Sequence, residues 1–554
     1  MAGGAASPIL IDRVGELARL EAAYNDAAAG HARPMLLSGE AGIGKSRLLR
    51  ELSYRVTGRG GRVMVGGCLA LGDGAIPYLP FAEILRRLAR TTDRAGLAEA
   101  LGPGRVDLAR LVPELGGSDG DAERVPPAPG SDGSTEPGSG VARARLFEAV
   151  LLLLGRLGAE APLLLAIEDV HWADPASRDL VTFLVRNLTA EPVLLLLTLR
   201  TDGLAPDDPA VRWLAELERD RRFERVDLER LGREDVGAQV RAILGGPPPA
   251  GLLHPIWERS EGLPFFVEEL VAAALAGDAA SLPTTLADVL GARLLEVSPR
   301  VRAVLETLAV VVRPADERLL AAVLGWSEEE AAGAIRAGLD DHLLRIDERG
   351  RTRFRHALVR EVVHGRLLPS ERRRLHERVA AALTADPSLG GDGPGGIAAE
   401  LARHWTAAGR RTEAYRASID AGDTANAVYA YTDAVEHYER ALSLVDQLPP
   451  PARPATAELR QLLRRAADAN DSAGGVRRAL ELARRELALV DESTEPAVAG
   501  ALHARVGYFL WATGDSEAGI REHRRAIELV PSEPPSTERA RVLGSYGGAL
   551  SGES

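Results

Sequence analysis

The sequence predicts a multidomain chain. It opens on an α/β P-loop fold with a parallel sheet and continues into a helical domain, a winged-helix-like domain and α-helical repeats of tetratricopeptide (TPR) type. Three observations predict this. Gly39–Ser46, GEAGIGKS, fits G-x-x-x-x-G-K-[ST] between an apolar run and an amphipathic helical pattern. Short apolar runs alternate with helical patterns over residues 1–205 and nearly vanish afterwards. From residue 397 onward the periodicity is helical, with a recurring Leu-Val element followed by a proline-containing turn.

The P-loop domain is expected over 1–205. PMLLSG (34–39), RVMVGGC (62–68), PLLLAIED (162–169) and PVLLLLTLR (192–200) read as strands buried on both faces, as parallel strands flanked by helices must be. Arg47–Val56 and Arg143–Leu157 read as helices between them. Residues 117–140 are rich in Gly, Ser, Pro and Asp with almost nothing apolar, and are expected to form a disordered loop. Residues 206–280 read as a helical subdomain. Residues 281–385 carry amphipathic helices and then LLRIDERGRTRFRHALV, a short hairpin with ERGR at its turn, which together suggest a winged-helix-like module.

A Gly/Pro/Asp-rich linker follows at 384–396. The repeats are expected over 397–554. Their anchors Val445, Val490 and Val530 stand 45 and 40 residues apart, wider than a strict tetratricopeptide unit and suited to a looser helix-hairpin solenoid. No polar capping helix follows, so the repeat array is expected to be incomplete.

Composition bounds the function. At 554 residues the chain has room for three to five domains, and with 4% aromatic residues its cores must be built from Leu, Val and Ala. A net charge of −13 argues against a chain that coats nucleic acid or anionic membrane. The one cysteine, Cys68, rules out an internal disulfide and argues against a cysteine metal site. The first residues lack the basic-then-apolar pattern of a signal peptide, and the apolar runs are far shorter than a membrane span. A cytoplasmic location is expected.

Lys45 is the only lysine among 67 basic residues. In a P-loop the glycines let backbone N–H groups of Gly39, Glu40, Ala41, Gly42, Ile43, Gly44, Lys45, Ser46 and Arg47 turn toward phosphate oxygens, and the helix that starts there adds its positive end. Lys45 would bridge the β- and γ-phosphates as a slim point charge, which the wider, forked guanidinium cannot do. Ser46 would ligate Mg2+.

LLLAIEDVHWAD (163–174) ends an apolar strand in Glu168-Asp169. One carboxylate is expected to serve the Mg2+ and the other to polarise the attacking water. By order, Glu168 is assigned to the metal and Asp169 to the water, although the reverse assignment stays open. His171 and Trp172 are expected to pack against or cap the next helix. LLLLTLRTD puts Thr198 and Arg200 at the next strand end, facing the ligand crevice, where Arg200 can sense a γ-phosphate. An Asn-Lys-x-Asp guanine reader is absent, so ATP or ADP is the expected nucleotide.

In order, LIDRVGELARLEAA, the P-loop, LAIEDVHWAD, LTLRTD, EGLPFFVEEL, FRHALVREVVHGRLLPSERRRLHERVA and the helical repeats resemble the STAND class of signal-transduction ATPases. Within it they look most like the large bacterial ATP-binding LuxR-family (MalT-like) transcriptional regulators. The resemblance implies that Arg13, with Leu10 and Ile11, lies against the adenine. The family has Gly before this arginine, where this chain has Asp12. It implies that Pro264, in Gly262-Leu263-Pro264, packs near the base, and that His356 contacts the β-phosphate of ADP and holds a closed state. Relatives end in a helix-turn-helix that is not visible in this sequence, so DNA binding is expected only through a domain outside it. Arg372–Arg374 is expected to be a solvated helix face.

The expected function is an ATP-binding signal-transduction switch with slow hydrolysis, either a transcriptional regulator or a fragment of one. Its repeats would sense an inducer or protein partner, and it would self-associate on activation. Two other classes stay open: a TPR-type adaptor that binds nucleotide without hydrolysing it, and a P-loop small-molecule transferase.

Overall fold

A computed structural model describes residues 7–71, 76–116, 139–205, 207–276, 285–391 and 397–551. The chain divides into two compact units. One comprises Met1–Gly117 and Leu146–Gly409, the other Ser118–Arg145 and Arg410–Ser554.

The first unit is built on a five-stranded parallel sheet. Its strands are β1 (Arg33–Gly39), β2 (Arg62–Gly67), β3 (Leu163–Glu168), β4 (Val193–Arg200) and β5 (Glu224–Asp227), in the order β2-β3-β4-β1-β5. Side chains alternate across a strand, so one residue in two faces each side. Met35, Leu37, Leu164, Ala166, Leu194, Leu196 and Val226 form one core with the helices Val14–Ala28 and Lys45–Gly58. Because helices cover the sheet, the central strands β1, β3 and β4 read as continuous apolar runs, whereas β2, expected to be buried on both faces, lies at an edge and buries only Met64 and Gly66.

β5 falls within 206–280, the stretch expected to be helical, and it pairs with β1 from Met35↔Glu224 to Ser38↔Asp227. The sheet therefore extends past residue 205. Its sequence, ERVD, buries only Val226, so no apolar run announces it. Short, charged edge strands of this kind resist unwanted pairing.

Most of the loop expected at 117–140 lies outside the described residues. Its last two residues already belong to the helix Ser139–Glu160. The linker expected at 384–396 is described to Gly391: Thr384 and Ala385 close the helix Pro369–Ala385, a single turn spans Pro387–Leu389, and 392–396 lie outside the described residues.

After β5 the chain forms helices Arg233–Leu244, Leu253–Ser260 and Pro264–Ala276, packed around Val236, Val240, Ile256, Val267 and Leu270. Helices Leu286–Glu296, Pro299–Val311, Glu317–Leu324 and Glu328–Asp340 lead into an antiparallel hairpin. Its strands are β6 (Leu344–Ile346) and β7 (Thr352–Phe354), with Leu344 opposite Phe354. Helix Ala357–Arg366 follows directly. Val304, Leu305, Leu308, Leu319, Ile335, Leu344, Val359 and Val363 share one buried core, and Phe265 joins it from the preceding helix group. Of the face expected at Arg372–Arg374, Arg373 and Arg374 are exposed on Pro369–Ala385, while Arg372 is half-buried and its Nε donates to the Leu367 carbonyl at 3.1 Å.

In the second unit, helices pair as hairpins: Arg411–Ala427 with Tyr431–Leu444, Thr456–Ser472 with Val476–Leu487, and Pro496–Ala512 with Ser516–Leu529, followed by Thr537–Ser551. The first helices start at residues 411, 456, 496 and 537, a repeat of roughly 40–45 residues. Small residues allow close crossing. A Cβ on Gly507 would stand 2.1 Å from His523 Nδ1 and 2.9 Å from the Gly519 carbonyl, so only glycine fits. Among the described residues, no helix is long and apolar enough to cross a membrane.

Candidate nucleotide-binding site

The loop from Gly39 to Lys45 links β1 to the helix Lys45–Gly58. Gly42 (φ 80°) and Gly44 (φ 108°) hold left-handed backbone that other residues adopt only under strain. Gly42 has a second constraint. A Cβ there would lie 3.0 Å from Phe265 Cβ and 3.3 Å from Leu358 Cδ1, while its carbonyl accepts from Phe265 N–H at 3.2 Å. Ile43 is buried beneath the loop.

Neighbouring side chains hold the loop at both sides. Asp202 accepts from Ala41 N–H at 2.7 Å. Arg230 grips the Glu40 carboxylate with Nε and Nη2, at 3.0 and 2.7 Å. Arg47 donates to the Ser7 carbonyl at 2.7 Å. Lys45 is buried, and Nζ donates to the carbonyls of Gly39 and Glu40 at 2.7 and 2.9 Å. Burial lowers its pKa to about 8, against the opposing pull of Asp169 and Asp202. The ammonium is thus held inside the loop curl by two neutral acceptors that a phosphate can replace.

Ser46 Oγ donates to Glu168 Oε1 at 2.7 Å. A hydroxyl and a carboxylate this close form a hard-oxygen pair suited to Mg2+, which completes its shell with phosphate and water. The residues fit that ion. Among the described residues there is no cluster of three or more His, Cys, Asp or Glu that would hold a metal without such help. Asp169 takes the left-handed backbone (φ 56°) just past β3, and its N–H donates to Thr198 Oγ1 at 2.9 Å. Burial, reinforced by the charge of Glu168, raises its pKa to about 6.

Arg200, at the end of β4, forms a forked ion pair with Glu361 on Ala357–Arg366 and also binds Asp202. This pair was not visible in the sequence. Nor were Arg230 or Gln239, which are lone polar residues outside any spaced motif, and Asp202 closes LTLRTD without having been assigned a role. Glu361 had one available signal, its place five residues after His356 on the same helix.

His356 stands at the N-terminus of that helix with its ring 4.3 Å from the Phe265 ring, and burial lowers its pKa to about 4. It is therefore neutral at pH 7. Arg13 is buried, its backbone left-handed (φ 79°) like that of the exposed Asp12 before it (φ 51°), and it donates to Glu16 and to the Glu229 carbonyl. Arg13 and Pro264 line one small cavity with Ser7, Gly44, Gln239 and Glu268. The structure thus brings Lys45, Ser46, Glu168, Asp169 and Arg200 to one end of the sheet, with Arg13 and Pro264 beside the loop. His171 stacks on Trp172 at 4.4 Å. The cap of the following helix is Asp174, which accepts from Ser177 N–H at 2.7 Å, because a carboxylate meets the free N–H groups of a first turn better than imidazole or indole does.

Residues 10–196 match the family model of the AAA ATPase domain. Over 550 residues the chain is 28% identical to an uncharacterized protein of Rhizobium meliloti (strain 1021), covering 94% of this chain and 50% of that protein. The chain thus spans about half the length of the curated relative it matches. Among solved structures, one similar chain is a Signal Transduction ATPase with Numerous Domains (STAND) protein with a tetratricopeptide repeat sensor from Pyrococcus horikoshii. The TM-score is 0.40 at 13% identity, over 99% of this chain and 82% of that one. The Aeropyrum pernix ORC2 protein, in ADPNP–ADP complexes, gives a TM-score of 0.31 at 14% identity, over 69% and 96%. The chain carries a P-loop ATPase domain of the AAA type.

Proposed function

We propose that this chain is an ATP-operated signalling switch of the STAND class, built like the ATP-binding LuxR-family regulators and hydrolysing ATP slowly. The observation that carries the proposal is the Arg200–Glu361 pair. Arg200 is the cation at the β4 end beside the phosphate loop, and its fork is occupied by a carboxylate from the hairpin module. A guanidinium fork cannot hold Glu361 and a γ-phosphate in the same bidentate way. Nucleotide state and module position are therefore coupled, which is what a switch requires.

In this reading Lys45 leaves the carbonyls of Gly39 and Glu40 for the β- and γ-phosphates. Ser46 and Glu168 hold Mg2+, which screens the phosphate charge when bound. Asp169, with its raised pKa, accepts a proton from the attacking water more readily than an ordinary aspartate at neutral pH. Arg13 and Pro264 border the base, and His356, neutral and stacked on Phe265, donates a hydrogen bond to the β-phosphate of ADP in the closed state.

The module from Leu286 to Ala385 serves as a winged-helix clamp. The helix hairpins of Arg410–Ser554 serve as a TPR-like sensor for an inducer or protein partner. DNA contact and self-association on opening belong to the same reading, the former through a domain outside this sequence, and the protein would work in the cytoplasm.

The test is calorimetric titration of ATP and ADP into the full chain, with release of a fluorescent ADP followed separately. Lys45→Ala should abolish binding of both nucleotides, and unchanged affinity would overturn the site. Glu361→Ala should speed ADP release several-fold, and an unchanged release rate would overturn the switch while leaving the site intact.

A further inference from the structure

Gln239 is 2% exposed, on the buried face of Arg233–Leu244. Its Nε2 donates to the Pro264 carbonyl at 2.9 Å. Its Oε1 is buried without a hydrogen-bond partner. The amide cannot simply turn over to correct this, because a flipped Gln239 would set Oε1 against the Pro264 carbonyl, acceptor against acceptor. The Pro264 carbonyl therefore fixes which way the amide points and leaves Oε1 as its unpaired acceptor. A buried, unpaired acceptor is costly and rare in folded proteins. Gln239 also lines the small cavity that Arg13, Gly44 and Pro264 border at the edge of the phosphate loop.

Among the described residues of that wall the carboxylate is Glu268, and it is already engaged. It accepts from Ser7 N–H at 3.0 Å and stands 3.9 Å from Arg47. As it stands the cavity holds about 40 Å³, room for a water and less than a purine needs. The Ser7–Ile11 segment forms one wall of the cavity, and the Ser7 contacts to Glu268 and Arg47 hold it there.

We propose that Gln239 is the base-reading residue of this protein, its Oε1 accepting a hydrogen bond from the 6-amino group of adenine while Pro264 holds the amide in register. This rests on the nucleotide-site reading above and deepens it. A 6-amino group satisfies the orphaned acceptor. The 6-keto group of guanine presents a second acceptor to it, and a 6-hydrogen leaves it as it was. Selection for adenine then comes from one fixed amide, without a guanine-type motif of any kind. Pro264 contributes twice, by bordering the base and by orienting the side chain that reads it.

The experiment compares ATP, GTP and purine riboside triphosphate, which carries hydrogen at position 6, by competition against a fluorescent nucleotide on the full chain with Mg2+. The unaltered protein should bind ATP about 10-fold tighter than the 6-hydrogen analogue, with GTP weaker still. In Gln239→Leu the ATP advantage should collapse, through loss of ATP affinity alone. Gln239→Met is the second variant should the leucine fail to fold. Equal binding of ATP and the analogue by the unaltered protein overturns the inference without any variant. So does an ATP preference that survives in either variant. Failure to bind any of the three would bring down the nucleotide site itself, and the inference with it.

Discussion

Arg200 and Glu361 lie 161 residues apart in sequence and meet in a two-pronged ion pair, largely screened from water, with the arginine 16% and the glutamate 32% exposed. The partners come from β4 of the sheet and from the helix that follows the hairpin. Asp202 supports the arginine from the other side. Removing Glu361 leaves the cation held by Asp202 and available to a phosphate. Steady-state phosphate release by Glu361→Gln should rise several-fold over the unaltered chain. Arg200→Ala should bind ATP and lose on the order of 10²-fold in turnover, the usual cost of deleting one transition-state donor. A colorimetric phosphate assay reads both.

Lys45 makes binding depend on pH in a defined direction. Its ammonium has a pKa of about 8 in the free loop because burial disfavours the charge. A triphosphate stabilises the charged form and raises that value. ATP affinity should therefore be flat below pH 8 and fall by about tenfold per unit above it. Calorimetry near pH 9 in buffers of different ionisation enthalpy should show proton uptake on binding. Lys45→Arg should not restore binding, because the guanidinium is too broad for the curl that now holds Nζ between two carbonyls.

Asp169 sets activity against stability. Its pKa is raised from 3.8 to about 6, first by burial and then by Glu168. A carboxyl with a raised folded-state pKa favours the fold when protonated, and that advantage disappears as pH rises through about 6. At pH 7–8 the ionised group is a net burden. Asp169→Asn should abolish phosphate release and yet stabilise the nucleotide-free protein at pH 7.5, by on the order of 1–3 kcal/mol. Near pH 4 the gain should be absent. Thermal unfolding at the two pH values checks the sign.

The strands β1, β3 and β4 were readable because burial on both faces demands unbroken apolar runs, and the phosphate loop because its glycines, lysine and serine are fixed by local geometry. β5 was not readable. A four-residue edge strand with one buried valine has no periodicity to detect. The ring of partners around the loop was hidden for a different reason. Arg230, Glu361 and Gln239 act through contacts made only when distant segments pack, and a lone charged or amide residue in a loop or helix looks like solvated surface. His356 precedes the helix that carries Glu361, but the resemblance that singled out His356 said nothing of Glu361.

A second buried pair ties the hairpin module to the helix Ala398–Ala408. Arg313 Nε donates to both oxygens of Glu400 at 2.9 Å, and Nη2 donates to the Leu389 carbonyl at 2.7 Å. Glu400 also accepts from Gly391 N–H at 2.9 Å. The two side chains are 8% and 2% exposed. Breaking such a pair strands a buried charge, so Glu400→Ala should cost about 3–5 kcal/mol. The double variant Arg313→Met, Glu400→Leu should cost much less. Urea unfolding of the three chains gives the comparison.

Phe265 joins three pieces of chain that the sequence keeps far apart. Its N–H holds the carbonyl of Gly42, its Cβ fills the space a side chain on that glycine would need, and its ring lies on His356. The same residue is buried in the core of the hairpin module. A loop of backbone that must flex to admit a phosphate is thus pinned to an aromatic ring, and the ring to a histidine more than 300 residues downstream of the loop. Rigid packing of this kind transmits displacement as a gear tooth does: by contact, with no slack between the parts. The strength of the message should then depend on the size of one side chain. Trimming Phe265 to leucine should disengage the two halves of the machine without touching a single polar group in either.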